Sequence, residues 1–531
     1  MKKMPFIHQA NFLMVIIAIF PIAIGSYMTW DGKTVPLLPP PPGNAVVCST
    51  AIQLYMALRT QTTGKTILLK DGTYNTGTLE PLRLDSSHIT IRGLSGDPTK
   101  VVINGNGFES CTNVDEEMFM LYTSHTTFAD ITIAESRCHG IKFQGGKCDS
   151  TLVHNVRFYN ICERAIKCPG DAPNPPRSTG TVIRYCHFED TKIPSPSLCG
   201  VHFNGEYIAG MDVMDADSWV VHDCVFRNIR GANGDGRGGI FFWGGSSEIG
   251  NGFVCRNMVA ERNTFVGCDR AIAYGNSSGV NDVEGGIIRN NFIVRGAGKA
   301  IEVDFCTDIQ IYNNTVYSSD PTYSRAVWFE SNFGGIDFKN NIVFGNVSGS
   351  PDSSSNNLIR NSSGDASTNW FTDRTNGDLH LTANATQAIN TGASGLVVND
   401  WDGHMRIVSV CDIGADEFGS TRAEKGRSGI DKAFGAITVL PNPFNPSTRI
   451  AGSLPRLAVF GESGRQLAVG GKYMEINIYT VHGKLVQRLP ATSCQLSDGL
   501  IWDASDQPSG VYVVTIAVGN RQLSSMAILQ K

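Results

Sequence analysis

The chain has little charge for its 531 residues, since only 18% of them are charged and the formal net charge is −5. No block of Lys and Arg provides the basic stripe that a nucleic-acid partner requires. Phosphate-binding P-loops and HExxH helices are absent, and no Ser-His-Asp triad is recognisable. These absences exclude nucleic-acid binding and the commonest phosphate-transfer and zinc-protease chemistries.

Long apolar runs are almost missing as well. The one exception, residues 12–24, is short for a bilayer span. Lys2 and Lys3 precede it and the small residues Gly25 and Ser26 follow, which is typical of a secretory signal. We therefore expect a secreted or cell-surface protein with no membrane span after cleavage, a membrane anchor being the alternative.

Cysteine is present at 14 positions, but no CxxC pair occurs, so a zinc cluster of cysteines is not expected. Cys138, Cys162, Cys199 and Cys268 each fall shortly before a repeated strand. Stacking of the repeats would bring these four side chains close together. Both disulfides and buried thiols are compatible with this pattern.

A short repeated unit dominates the middle of the chain: a small residue, a β-branched residue, any residue, then an apolar residue. Each unit alternates with period two and is too short to be stable alone, so the units should stack as parallel strands around one core. The copies are Gly140-Ile-Lys-Phe, Ala165-Ile-Lys-Cys, Gly200-Val-His-Phe, Gly239-Ile-Phe-Phe, Ala271-Ile-Ala-Tyr, Ala300-Ile-Glu-Val and Ala326-Val-Trp-Phe.

A second, looser unit carries Asn or Asp between apolar residues, as in Ile288-Arg-Asn-Asn-Phe-Ile293 and Ile336-Asp-Phe-Lys-Asn-Asn-Ile342. Asparagine tolerates left-handed backbone, so it should mark the bends between strands. Stacked asparagines can also form side-chain ladders along the axis. We therefore predict an all-β solenoid.

These repeats resemble the right-handed parallel β-helix superfamily, which includes pectate lyases, other polysaccharide lyases and epimerases. The resemblance spans roughly residues 65–347. It implies a right-handed parallel β-helix, an extracellular polysaccharide as partner, and a site on an exposed sheet face that carries Lys, Arg and acidic residues.

The tail opens with Leu440-Pro-Asn-Pro-Phe-Asn-Pro and contains Ser509-Gly-Val-Tyr512. These motifs resemble the C-terminal sorting domain of type IX secretion cargo, an Ig-like β-sandwich, although residues 456–472 form an apparent insertion. The resemblance implies the secretion machinery as a second partner. The predicted organisation is a signal peptide (1–26), a proline-rich linker (27–45), the β-helix (46–350) with a capping helix near residue 51, a closing segment (351–418), a linker (419–435) and the tail (436–531).

The third and fifth positions of each unit should point outward, and neighbouring coils should lie about 4.8 Å apart. This places a basic, an aromatic and an acidic section in order on one face. Expected substrate-binding residues there are Gln144, Asn204, Phe241, Trp243 and Trp328, and expected catalytic residues are Lys142, Lys167, His202 and Arg237, with Arg230 as an alternative to Arg237.

Cations on such a face would neutralise a uronate carboxylate, and a Lys or His base would then remove the adjacent proton. Polar residues on an exposed face are equally what any soluble solenoid requires. Calcium is the one cofactor that the acidic residues could hold. Its candidate ligands are Asp212, Asp215 and Asp217 in one loop, and Glu302, Asp304 and Glu330 on the acidic section.

Asp400, Asp402 and Gly403 could also form a calcium loop, but the ligand series is incomplete. A turn with Asx bonds, in which Arg406 pairs with a carboxylate, is the favoured interpretation. Three functions remain open for the whole chain, which we expect to be a monomer: a lyase acting on a uronate-containing glycan, a non-catalytic adhesive glycan-binding protein, and a glycoside hydrolase using the Glu302 and Asp304 pair.

Overall fold

The computed structural model describes residues 29–529 except 80, 111–116, 145–147, 170–176, 197–201, 245–252, 278, 296–297, 323–324, 368, 405, 407–409, 420–436, 441–446, 453–458, 461–465, 468–473, 481–483, 492–499 and 519–520. The predicted signal peptide, Cys199 and nearly all of the second linker therefore lie outside the described residues. The described chain confirms the all-β prediction of a parallel β-helix followed by a small antiparallel domain.

Each coil of the β-helix contributes strands to three faces, and the strands of neighbouring coils pair in parallel. The first face is a ten-stranded sheet. Its strands are Leu82–Leu84, Glu117–Leu121, His139–Phe143, Arg164–Cys168, Ala209–Met214, Gly238–Trp243, Arg270–Tyr274, Lys299–Asp304, Val327–Glu330 and Val347–Ser348.

The second and third faces join at a sharp bend into one larger sheet, and Thr127–Ser136 and Leu152–Ile161 run through that bend. The other strands of the second face are Val46–Cys48, Thr66–Leu69, Thr90–Gly93, Ser178–Thr179, Val182–Arg184, Ala216–Asp217, Val220–His222, Cys255–Glu261, Val283–Arg289, Cys306–Tyr312, Asp337–Lys339 and Ser353–Ser355. Those of the third face are Gly72–Asn75, Val101–Asn104, His187–Glu189, Val225–Arg227, Thr264–Val266, Phe292–Val294, Thr315–Tyr317, Ile342–Phe344 and Leu358–Arg360.

The small residue of the repeated unit is required by close packing against a stack of phenylalanine rings. A Cβ added at Gly140 would lie 2.7 Å from the carbonyl oxygen of Ala165, and one at Gly239 would lie 2.8 Å from Phe265. Rings of neighbouring coils stack on one another, as Phe226 and Phe265 do at 4.8 Å. At Gly140 and Gly239 there is therefore no room for a side chain between the ten-stranded sheet and this stack.

The bends between the second and third faces confirm the predicted role of asparagine. A residue with left-handed backbone occupies this position in coil after coil, and most of these residues have short polar side chains. They are Asp130, Asn155, Tyr185, Asp223, Arg262, Asn290, Asn313, Asn340 and Asn356.

The residue after each later bend forms a buried ladder. The Nδ2 of Asn291 donates to Oδ1 of Asn314 at 2.9 Å, and the Nδ2 of Asn314 donates to Oδ1 of Asn341 at 3.0 Å. Asn314 also donates to the backbone carbonyl oxygen of Ile288 at 2.9 Å. Each rung therefore satisfies polar groups of its own coil and of both neighbours.

Replacing one rung should cost more stability than one hydrogen bond contributes. In Asn314→Ala, several buried polar groups lose their partners, and each unsatisfied group costs about 1–3 kcal/mol. We expect the free energy of unfolding, measured in urea, to fall by roughly 3 kcal/mol. Asn75→Ala serves as the control, since Asn75 accepts one exposed hydrogen bond from Asn104 at 3.3 Å; an equal loss in both variants would contradict the ladder's role.

Asp190 is buried at the end of a third-face strand, where its Oδ1 accepts a hydrogen bond from the backbone N–H of Ile161 at 3.0 Å. Burial raises the pKa of Asp190 to about 8. The folded state therefore retains a proton that the unfolded chain loses near pH 4, so this residue's contribution to stability falls as the pH rises from about 4 to 8.

Asp190→Asn should remove this pH dependence. The variant should unfold at a higher temperature than the parent protein at pH 8 and show a smaller advantage at pH 5, because the neutral amide never ionises. The exposed Asp71→Asn is the control and should follow the parent curve at both pH values. Parallel curves for Asp190→Asn and the parent protein would contradict the assignment.

The predicted capping helix is confirmed as Ala51–Arg59, whose Leu54, Ala57 and Leu58 enter the core over the first coil. The predicted proline-rich linker lies against the coils, where the backbone carbonyl oxygen of Pro39 accepts a hydrogen bond from Arg92 at 2.8 Å. Lys33 pairs with Asp223 at 3.1 Å, and this contact holds the segment along the second and third faces.

The closing segment covers the side of the stack where the later coils bend. Its hairpin Phe371–Asp373 and Asp378–Leu381 and its loop around Trp401 pack on third-face residues such as Phe292. Asp400 accepts a hydrogen bond from the backbone N–H of His404 at 2.8 Å, and Arg406 pairs with Glu417 at 3.2 Å. The turn interpretation of this loop is therefore confirmed.

The tail contains two antiparallel sheets, and its own core includes the buried Trp502. One sheet has the strands Ile437–Leu440, Ser447–Gly452 and Leu500–Asp503. The other has Leu485–Ala491, Met474–Thr480, Gly510–Val518 and Arg521–Leu529. A short hairpin, Val459–Phe460 with Gln466–Leu467, falls within the predicted insertion. No helix in the described residues is long and apolar enough to cross a membrane.

Cys138, Cys162 and Cys268 are buried, and Cys162 and Cys268 are free thiols. Of the two interpretations that the sequence left open, the structure shows buried thiols at Cys162 and Cys268. Burial raises the pKa of the Cys268 thiol to about 12, so it stays protonated at neutral pH.

Candidate functional site

The outward positions of the ten-stranded sheet form one row, in which Lys142 pairs in register with Lys167 and Lys167 with Asp212. The row then continues through Phe241, Ala273, Glu302 and Trp328. We call this row, with its flanking residues on the same strands, the stripe. The predicted basic, aromatic and acidic order is retained, with one correction.

The correction concerns His202 and Asn204, which the repeat pattern placed on the stripe. Residues His202–Gly205 form a 3-10 turn, in which Asn204 has a left-handed backbone. The strand of this coil is Ala209–Met214, and Asp212 takes the position predicted for His202. The pattern favoured Val201 because it is β-branched, whereas the inward residue is the unbranched Met211.

Asp212 is the centre of the basic section. Its side chain is only 1% exposed and contacts Arg164 Nε at 2.6 Å and Lys167 Nζ at 2.9 Å through one carboxylate oxygen. The other oxygen accepts a hydrogen bond from Trp243 Nε1 at 2.8 Å. Burial opposes ionisation, but the two cations and the hydrogen bonds hold the pKa of Asp212 far below its usual range.

This triad keeps a net positive charge, because Arg164 and Lys167 carry two positive charges against one negative charge on Asp212. The guanidinium of Arg164 also lies 3.3 Å from the ring centre of Tyr207. Arg237 adds a further cation one coil beyond Asp212. Burial, followed by the neighbouring Arg270 and Arg164, lowers the pKa of Arg237.

A second cluster surrounds Lys142. Its Nζ donates to Oε1 of Glu117 at 2.6 Å, and His139 Nδ1 lies 2.5 Å from the other oxygen of that carboxylate. Burial would raise the pKa of Glu117, but its bonds to His139 and Lys142 bring it below the usual value. Lys142 is 24% exposed, so this ammonium reaches solvent while Glu117 does not.

The aromatic section is only partly exposed. The rings of Phe241 and Trp243 stack at 5.5 Å, but Phe241 is buried and Trp243 is half-buried. Trp328, farther along, lies under Lys299 at 3.8 Å and under Arg325 at 4.5 Å. Trp243 and Trp328 thus remain the candidate surfaces for stacking on a sugar, and Phe241 supports Trp243 from below.

The acidic section is held by neighbouring groups. Glu302 contacts Lys299 at 2.7 Å and Arg270 at 3.4 Å, which fixes its carboxylate. Asp304 accepts a hydrogen bond from Ser277, and burial with the nearby Glu330 raises its pKa to about 6. Asp304 and Glu330 lie opposite each other on adjacent strands.

The structure does not bring together the three aspartates of the predicted calcium loop. Asp212 is bound to Arg164 and Lys167, whereas Asp215 pairs with Arg177 at 2.8 Å. Asp217 accepts hydrogen bonds from Ser218 and Asn257. Among the described residues, the His, Cys, Asp and Glu groups that could share one metal ion lie in the closing segment, around Asp402.

Sequence reasoning missed Glu117, His139 and Arg164, although a signal for two of them was present. Charged residues directly precede the small residue of most repeated units, and this position belongs to the same sheet face. These residues are His139, Arg164, Arg270, Lys299 and Arg325. Of the other predicted residues, Gln144 follows the strand of Lys142, and Arg230 lies 3.6 Å from the Asp269 carboxylate.

No protein-family model and no curated protein matches the sequence. Among solved structures, the chain is similar to the pectate lyase Pel9A, with 15% identity, a TM-score of 0.44, and 68% of this chain and 90% of that one covered. An alginate lyase from Paenibacillus sp. str. FPU-7 has 15% identity, a TM-score of 0.37 and coverage of 59% and 99%. The surface adhesin PfbA of Streptococcus pneumoniae has 13% identity, a TM-score of 0.37 and coverage of 55% and 80%.

Proposed function

We propose that the protein is an extracellular polysaccharide lyase acting on a uronate-containing glycan. The carrying observation is the basic section of the stripe, where Arg164, Lys167 and Asp212 keep a net positive charge beside the half-buried Trp243. An anionic sugar chain laid along the coil axis would meet a positive site and an aromatic ring within adjacent coils, which are about 4.8 Å apart.

The chemistry that suits this site is β-elimination. A cation neutralises the uronate carboxylate, and this acidifies the proton on C5. A base takes that proton, the C4–O bond breaks as a double bond forms between C4 and C5, and the leaving oxygen receives a proton. The products are a shortened chain and an unsaturated uronate.

The geometry divides these roles among the residues of the stripe. Lys142 reaches solvent and, in its amine form, is the proposed base. Lys167 lies in the next coil and supplies the positive charge, which Arg164 and Asp212 hold in place. Arg237, one coil beyond Asp212, is the residue that we propose binds the carboxylate of a sugar farther along the chain.

The proposed location and partners are those that the sequence motifs of the two chain ends predict. The chain is secreted through its N-terminal signal, its tail is recognised by the secretion machinery, and it acts as a monomer on an extracellular polysaccharide. We also propose that Glu302, Asp304 and Glu330 bind calcium, and the activity assay is therefore run with and without calcium.

A non-catalytic adhesive function is the second candidate. Its supporting observation is that Lys142 and Lys167 each contact a buried carboxylate, a state that suits a fixed binding surface as well as a catalyst. The glycoside hydrolase alternative has less support, because Glu302 is fixed by Lys299 and Arg270.

One assay separates the candidates. The purified protein is incubated with a panel of uronate polysaccharides, with and without calcium, while the ultraviolet absorbance of the unsaturated product is followed. A lyase produces a steady rise on at least one substrate. Binding on a glycan array without any absorbance rise would support the adhesive function, and new reducing ends without absorbance would support hydrolysis.

A further inference from the structure

The closing segment assembles a group of metal-ligating side chains away from the stripe. His380 lies on the strand Asp378–Leu381, Asp402 lies in the turn after Trp401, and Asp416 lies near the segment's end. Their ligand atoms all lie within 4.8 Å of one another. A second group of the same kind, formed by Asp400, Asp402 and His404, shares Asp402 with the first.

The separations suit ligands of a single ion. His380 Nε2 lies 3.0 Å and His404 Nδ1 lies 3.8 Å from Oδ2 of Asp402. Neighbouring ligands of a tetrahedral zinc ion are separated by roughly 3.4 Å, given bonds of about 2.0–2.1 Å. The Nδ1 atom of His404 is buried and has no hydrogen-bond partner among the described residues.

The surroundings of His380 are those of a metal ligand. Oδ1 of Asp378 lies 2.5 Å from Nδ1 of His380, on the side of the ring away from Asp402. A carboxylate in this position fixes the ring and presents the other nitrogen to the ion. Phe292 and Trp401 pack edge-on against the same ring, both at 5.1 Å between ring centres, and limit its movement.

The charge balance also favours a cation. Four carboxylates surround the site, from Asp378, Asp400, Asp402 and Asp416. Lys33 approaches this region over the Trp401 ring, but its ammonium is paired with Asp223 at 3.1 Å. His380 pairs with two of these carboxylates, those of Asp378 and Asp402. A divalent ion would also offset the charge of Asp416, which is almost fully buried.

We propose that this cluster binds a divalent transition-metal ion of the zinc class, with His380, Asp402 and Asp416 as its protein ligands. Imidazole nitrogens combined with carboxylates select zinc over calcium, which prefers six to eight oxygen ligands. This ligand set differs from the calcium loop considered for Asp400 to Gly403, and it is independent of the function proposed for the stripe.

The bound ion would hold distant parts of the closing segment together on the surface that packs against the coils. Its ligands come from a hairpin strand, a turn and the end of the segment, which are far apart in sequence. His380 and Trp401 both contact Phe292 of the third face. Metal binding therefore stabilises the packing of this segment against the β-helix.

The test uses the untagged full-length protein, stripped of metal with EDTA and dialysed. Zinc is titrated in competition with a chromophoric chelator, and cobalt(II) is added separately as a spectroscopic probe. We expect one zinc ion per chain, the intense visible bands of four-coordinate cobalt, and a higher unfolding temperature with zinc than without it.

Variants distinguish a built site from surface binding. His380→Gln and Asp402→Asn should each weaken zinc binding by at least 100-fold, and Asp378→Asn should weaken it by about 10–100-fold through loss of ring orientation. Asp373→Asn, an exposed residue of the same hairpin, should bind zinc as the parent protein does.

Circular dichroism verifies that each variant is folded. If His380→Gln does not fold, the zinc affinity of Asp402→Asn provides the test. Equal zinc affinity in the parent protein and Asp402→Asn would overturn the proposal. So would saturation by calcium with no competition from zinc.

Discussion

Asp212→Ala should destabilise the β-helix more than any other single change on the stripe. It leaves Arg164, which is 1% exposed, and Lys167, which is 8% exposed, without their shared carboxylate. Removing one partner of a buried ion pair costs about 3–5 kcal/mol, because the remaining charges cannot recover their hydration. Trp243 Nε1 loses its acceptor as well. Urea unfolding, followed by intrinsic fluorescence and circular dichroism, measures the loss.

The matched control is Asp235→Ala on the same side of the molecule. Asp235 also pairs with an arginine, Arg270, at 2.7 Å, but its side chain is 70% exposed. An exposed pair contributes at most about 1 kcal/mol. Similar losses in the two variants would show that the Asp212 triad is not a buried electrostatic centre.

Lys142→Met should slow turnover strongly while leaving the fold intact. The methionine keeps the aliphatic stem of the side chain but removes the amine, so Glu117 retains its contact with His139. Loss of a general base typically slows catalysis by about 10²–10⁴-fold. The expected result is a fall of this size in kcat on the glycan that the parent protein cleaves, in a variant whose circular dichroism spectrum matches that of the parent protein.

Lys339→Met provides the comparison, because this lysine is similarly exposed and similarly paired. Lys339 is 25% exposed and contacts Asp337 at 2.8 Å on the second face, whereas Lys142 is 24% exposed. Turnover by Lys339→Met should equal that of the parent protein. Retained activity in Lys142→Met would remove this lysine from the catalytic proposal.

Much of the β-helix could be predicted because its packing restricts which residue type can occupy particular positions of each coil. The Gly or Ala position follows from contact with the phenylalanine stack, and asparagine follows from the left-handed bends. One coil was misaligned, since Gly210 satisfies the small position as well as Gly200 does, and Met211 takes the place of a β-branched residue. Two candidate strands within one long coil cannot be separated by pattern alone.

The site was predicted less completely, for a physical reason. The outward position Lys167 was read as exposed, yet it is buried in its ion pair with Asp212, a residue that the sequence analysis placed in a loop. Glu117 belongs to a strand that the repeat pattern did not include. The contact of the closing segment with the third face depends on pairs such as Phe292 and Trp401, which are distant in sequence and carry no periodic signal.

The central claim, that an anionic glycan binds along the basic section of the stripe, is tested most directly by a structure of Lys142→Met with a uronate oligosaccharide. The predicted result is a sugar chain following the coil axis, with one carboxylate beside Lys167, another at Arg237 and a ring face on Trp243. A chain bound on the second or third face, with the stripe empty at saturating oligosaccharide, would contradict the account.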